Sequence, residues 1–144
     1  MGHAPVTRYV LRRRVQFHEV DSVGIVHFGC YFRYMEEAEH ALWREAGLSI
    51  AAPDASVGFP RVAASFEYHQ PLRFEDEFEA RIEVTKVGLR SIHYSCLLTR
   101  GDRKIATGTL TIVCVSKGPN DTMTSVPIPP DIAGRFTVPR DSDD

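Results

Sequence analysis

The segment richest in chemically capable residues runs Phe17-His18-Glu19-Val20-Asp21-Ser22-Val23-Gly24-Ile25-Val26-His27-Phe28-Gly29-Cys30-Tyr31. Asp21 supplies a carboxylate that can attack an electrophilic carbon directly or deprotonate a water, and the residue type alone does not choose between these routes. Gly24, three residues on, lets the chain turn back tightly. Phe28, Gly29 and Cys30 lead into a predicted helix. The first N–H groups of a helix lack intrahelical acceptors and can stabilise negative charge developing on an oxygen. Plainer readings exist for each residue. Asp21 can simply form a turn or cap a helix. His27 either lines a pocket or is a packed or solvated histidine. Cys30 beside His27 is formally a nucleophile with a base, but a small residue at a buried helix start explains it more simply.

Glu36 and Glu37 are two further carboxylates, and the i, i+4 pairs Arg33–Glu37 and Glu36–His40 give them a structural role. The six histidines show no metal-ligand spacing. Neither a phosphate-cradling glycine loop nor a nucleophile elbow occurs. No metal or nucleotide cofactor is expected.

The elements that must position this segment follow from periodicity. Residues 7–17 alternate as a strand, with Tyr9, Leu11, Val15 and Phe17 on one parity and Arg13 interrupting that apolar face. From about residue 30 to 46 the period becomes helical. Tyr31, Tyr34, Met35, Ala38, Ala41, Leu42 and Ala46 make one broad stripe, and Gly47 is placed to stop it. Phe32 and Trp43 lie off the stripe, so the helix should be covered on more than one side. Residues 48–60 read as a loop. Alternation then predicts strands at 62–68, 78–84, 92–98 and 104–116, joined by short turns. The tail, 118–144, is proline-rich; it should hold little regular structure beyond a turn near 131–134, with a disordered end. This order specifies one α+β domain, a curved antiparallel sheet of about five strands packed around one long helix.

Asp21, Gly24, the pair Ile25-Val26 and Tyr31 ten residues after the aspartate resemble the signature of the 4-hydroxybenzoyl-CoA thioesterase family of hotdog proteins. The helix start Tyr31-Phe32-Arg33-Tyr34-Met35-Glu36 and the run from Phe59-Pro60 to Pro71 resemble it too, so the likeness covers about residues 8–116. Phe28 departs from the polar residue common at its position, and Cys30 from the usual asparagine. The resemblance implies a hotdog fold and hydrolysis of an acyl- or aroyl-CoA to free acid and coenzyme A. It implies Asp21 as nucleophile or general base, and the Phe28 N–H as the contact to the thioester oxygen. It places Gly24, His27, Gly29 and Tyr31 around the substrate. Lys86, Arg90 and Ser91, at the turn around Gly88, would meet the nucleotide, often from a neighbouring subunit. The alternative from another class is a non-catalytic acyl-CoA-binding hotdog domain.

Composition sets the remaining expectations. A net charge of −2 argues against a general nucleic-acid binder. Cys30, Cys96 and Cys114 are odd in number and unclustered, which suits reduced thiols in a cytoplasmic protein. No apolar run approaches the ~20 residues that span a bilayer. A single sheet around one helix leaves open strand edges, so the chain should self-associate to a dimer or tetramer.

Overall fold

A computed structural model describes residues 4–139. The first strand, β1 (Arg8–Arg14), is followed by a 3-10 turn (Phe17–Glu19) and the helix α1 (Cys30–Glu45). Then come β2 (Val57–Gly58), β3 (Arg61–Tyr68), β4 (Glu77–Val87), β5 (Ser91–Arg100), β6 (Arg103–Val113), β7 (Val115–Lys117) and β8 (Met123–Ser125), and last a single helical turn, α2 (Pro130–Ala133). Five strands form one antiparallel sheet in the order β1-β4-β5-β6-β3. It curves around α1 as the hotdog resemblance implies.

The helix forms where the 3.6-residue stripe lies. Tyr31, Tyr34, Met35, Ala38, Ala41 and Leu42 are all buried against the sheet. It ends where Gly47 adopts φ 80°. The N–H of Gly47 reaches the Arg44 carbonyl and that of Leu48 reaches the Trp43 carbonyl, a Schellman closure that satisfies the last turn. The inner sheet face is supplied by alternate residues: Phe78, Ala80, Ile82 and Val84 of β4, and Ile92, Tyr94, Cys96 and Leu98 of β5. Each fully buried aliphatic of this kind contributes about 1.5–3 kcal/mol. Trp43, off the main stripe, is buried between Phe59 and Phe136, with its indole N–H donated to the Tyr94 hydroxyl at 2.9 Å.

The structure corrects several local expectations. β1 stops at Arg14 rather than running to residue 17, and Phe17 is exposed in the turn that follows. The strand expected at 104–116 divides at Cys114, where the chain leaves the main sheet; β7 joins β2 and β8 in a small second sheet. The tail carries β8 and α2, and places Ile128 and Phe136 in the core. The expected disordered end lies outside the described residues. Among the described residues, no helix is long and apolar enough to cross a membrane.

Candidate active site

The loop between β1 and α1 folds back on itself through short backbone bonds. Asp21 N–H donates to the Ile25 carbonyl at 2.8 Å and Gly24 N–H to the Asp21 carbonyl at 3.0 Å. Gly24 takes φ 85°, a conformation that glycine adopts without a Cβ penalty. Val26 is buried and its N–H donates to the Leu72 carbonyl, tying the loop to the chain that leaves β3.

Asp21 is exposed on this loop. Its Oδ1 accepts the N–H groups of Val23 at 2.8 Å and Ile25 at 3.4 Å. Among the described residues Oδ2 has no such partner. One oxygen therefore shapes the turn while the other is left without a partner among the described residues.

The entrance to α1 has a similar division. His27 N–H donates to the Glu19 carbonyl at 2.8 Å, Gly29 N–H to His27 Nδ1 at 3.1 Å and Cys30 N–H to the His27 carbonyl at 2.9 Å. The N–H of Phe28, between them, meets no acceptor among the described residues. Tyr68 donates its hydroxyl to the Phe28 carbonyl at 2.9 Å and stacks edge-on against Tyr31. The His27 and Phe28 rings are stacked at 4.6 Å.

Asp21 and Phe28 line one cleft of about 410 Å³, together with Ile25, Val26, Tyr31, Tyr68, His69, Gln70 and Pro71. Its walls are mainly aliphatic and aromatic. A second cleft of about 600 Å³ lies against the same loop, lined by His18, Glu19, Asp21, His27, Gly29, Cys30 and Arg33 among others. The structure thus gathers Asp21, Gly24, His27, Phe28, Gly29 and Tyr31.

It does not bring Lys86, Arg90 and Ser91 to them within one chain. β4 starts at Glu77, paired with Arg14 at the Asp21 end of the sheet, and runs 11 residues to Val87. At strand rise this sets the Gly88 turn roughly 33 Å away. There Arg90 donates to the Ser125 carbonyl, and the Ser91 hydroxyl lies 3.2 Å from His93 Nε2.

The other nucleophile candidates have structural partners. Cys30 is half-buried, its thiol directed at the Glu19 carbonyl, and burial followed by the Glu19 charge pushes it up, away from a reactive thiolate. The helix glutamates pair outside the helix, not at i, i+4: Glu37 with Arg13 and Glu36 with Arg61. Neither lines the Asp21 cleft.

Sequence reasoning missed the buried polar group beneath the site. Arg13, on the inward parity of β1, pairs with Glu19 at 2.7 Å and Glu37 at 2.6 Å, and lies over the Tyr34 ring. Tyr34 donates its hydroxyl to Glu19 at 3.0 Å. Burial alone would raise the Glu19 carboxyl, but the bonds from Arg13, the Gln16 N–H and Tyr34 outweigh it and hold the group below its ordinary range. The interruption of an apolar strand face by Arg13 was the available signal.

Residues 15–136 match the Thioesterase-like superfamily. A protein of Aquifex aeolicus (strain VF5) named "Putative esterase" is 33% identical over 99 residues, 68% of this chain and 77% of that one. The crystal structure of a hypothetical protein from Aquifex aeolicus superposes with a TM-score of 0.80 at 30% identity, over 86% of this chain and 95% of that one. A gentisyl-coenzyme A thioesterase structure gives 0.77 at 28% identity, over 86% and 98%.

Proposed function

From the premise that the chain belongs to the thioesterase-like superfamily, we propose that it hydrolyses an acyl- or aroyl-CoA to the free acid and coenzyme A, in the manner of the 4-hydroxybenzoyl-CoA thioesterases. The observation that carries this reading is the pairing of an uncommitted carboxylate oxygen with an uncommitted backbone N–H on one apolar cleft, Asp21 Oδ2 and Phe28 N–H. The acyl group occupies that cleft and its carbonyl oxygen points to Phe28.

Asp21 then acts by one of two balanced routes. It attacks the carbonyl carbon, expels the thiolate and leaves an anhydride that water cleaves to the acid and free Asp21; or it takes a proton from the water that attacks, and collapse of the adduct expels the thiolate, which receives that proton. Negative charge gathers on the carbonyl oxygen in both, and one such backbone donor is worth about 3–4 kcal/mol of transition-state stabilisation. The reaction uses only Asp21, the backbone and water. A coenzyme A nucleotide would meet Lys86, Arg90 and Ser91 of a neighbouring subunit.

Self-association through β3 fits the same reading. That edge strand leaves Val62 and Tyr68 exposed and bears few charges, whereas the opposite edge, β1, carries Arg8, Arg12, Arg13 and Arg14.

A panel of acyl- and aroyl-CoAs with free-thiol detection tests the proposal. Turnover of at least one thioester is expected. Saturable binding of acyl-CoA with no thiol release would instead establish the non-catalytic binding domain.

A further inference from the structure

We propose that Glu19 is a positioning residue for this site, holding the Asp21 loop and the Phe28 entrance of α1 in one fixed arrangement. Its carboxylate, only 5% exposed, accepts three hydrogen bonds and one further ion-pair contact. Arg13 donates Nη1 to Oε1 at 2.8 Å and pairs Nη2 with Oε2 at 2.7 Å, the Gln16 N–H reaches Oε1 at 2.8 Å, and the Tyr34 hydroxyl does so at 3.0 Å. A carboxylate held by Arg13, Gln16 and Tyr34 in this way is fixed in place between β1 and α1.

Its backbone carbonyl reaches the other half of the site. It accepts the His27 N–H at 2.8 Å and lies 3.7 Å from the Cys30 thiol. Asp21 stands two residues after Glu19 and the Phe28 N–H one residue after His27. The side chain therefore anchors the loop to β1 and α1, and the same residue's main chain fixes the spacing between carboxylate and oxyanion donor. Misplacing such a pair by about 1 Å can cost on the order of 100-fold in rate while substrate binding changes little.

The inference rests on the hydrolytic reading above, and the experiment separates the two. Thiol release is measured with the full-length protein, on a thioester the wild type turns over, well below each variant's melting temperature. Glu19→Gln, which loses the charge facing Arg13, should lower kcat about tenfold or more and leave KM within about threefold. Glu19→Asp keeps the charge at shorter reach and should recover part of the rate.

Glu39→Gln is the structural control. That carboxylate is equally buried in α1 but held by Arg61, away from Asp21. It should lower the melting temperature and leave kcat within about twofold. Wild-type kcat in Glu19→Gln, or equal kcat losses in Glu19→Gln and Glu39→Gln, overturns the proposal. If Glu19→Gln does not fold, Tyr34→Phe decides, with a loss of about threefold or more in kcat expected and wild-type kcat overturning it. No thiol release by the wild type from any thioester would overturn the hydrolytic reading itself, and retained activity in Asp21→Asn would overturn the role it gives Asp21.

Discussion

At the scale of single residues, the Asp21 side chain commits one oxygen to architecture and, under the proposed function, keeps the other for chemistry. Oδ1 accepts two N–H groups of its own loop, and an asparagine carbonyl oxygen in the same place can accept both, without the charge. Asp21→Asn should therefore change the unfolding free energy by less than about 1 kcal/mol in denaturant titration. Gly24→Ala has the opposite signature. The space around that position is open, so the cost is purely that of φ 85° on an L-residue, about 1 kcal/mol. Because Gly24 shapes the turn that carries Asp21, that variant should lose turnover as well as stability.

Glu19 adds a pH dependence. Its folded-state carboxyl is held below the ordinary glutamate value of about 4.5, so the unfolded chain binds its proton first. The stability it supplies is complete above that value and is lost as pH falls through the depressed one. Glu39, which burial raises, works in the other direction. Comparing wild type with Glu19→Gln isolates the first group, and the stability difference between them should shrink as pH falls below about 4.5.

At the scale of elements, periodicity located the helix to within one residue of its end, because one stripe of apolar side chains had to face one sheet. β4 and β5 were equally legible, since each alternates cleanly between a buried and an outer face. β3 alternates as well, yet its inward parity is largely uncovered. Alternation states which residues share a face, not whether anything covers it. The proline-rich tail misled in the other direction: composition hides that Ile128 and Phe136 reach back to the core. Of the candidate site, Asp21, Gly24 and Phe28 were singled out through the motif they resemble, whereas Arg13, Glu19 and Tyr34 come together only through the tertiary fold. A further prediction belongs here. Gly108 of β6 faces β3 so closely that a Cβ would lie 2.7 Å from the Phe66 ring and 2.8 Å from the Ser65 carbonyl. Gly108→Ala should cost about 2–3 kcal/mol in denaturant unfolding, or separate β3 from the sheet.

At the scale of the whole molecule, the uncovered inner side of β3 and its edge position ask for a partner, and under the proposed self-association a second copy would supply a matching strand. Light scattering should find at least a dimer, and Val62→Glu, which puts a charge on that exposed edge, should weaken it. Under the proposed function activity should fall with the oligomer, since Lys86, Arg90 and Ser91 of the same chain lie at the far end of β4 from Asp21. Above these dependences stands the claim that Asp21 performs hydrolysis. The measurement that bears on it most directly is the rate of thiol release from the best acyl- or aroyl-CoA by wild type and Asp21→Asn, side by side and at matched stability. The amide can neither attack nor accept a proton, so the account predicts a loss of about two orders of magnitude or more with the fold intact. Wild-type turnover by Asp21→Asn would contradict it.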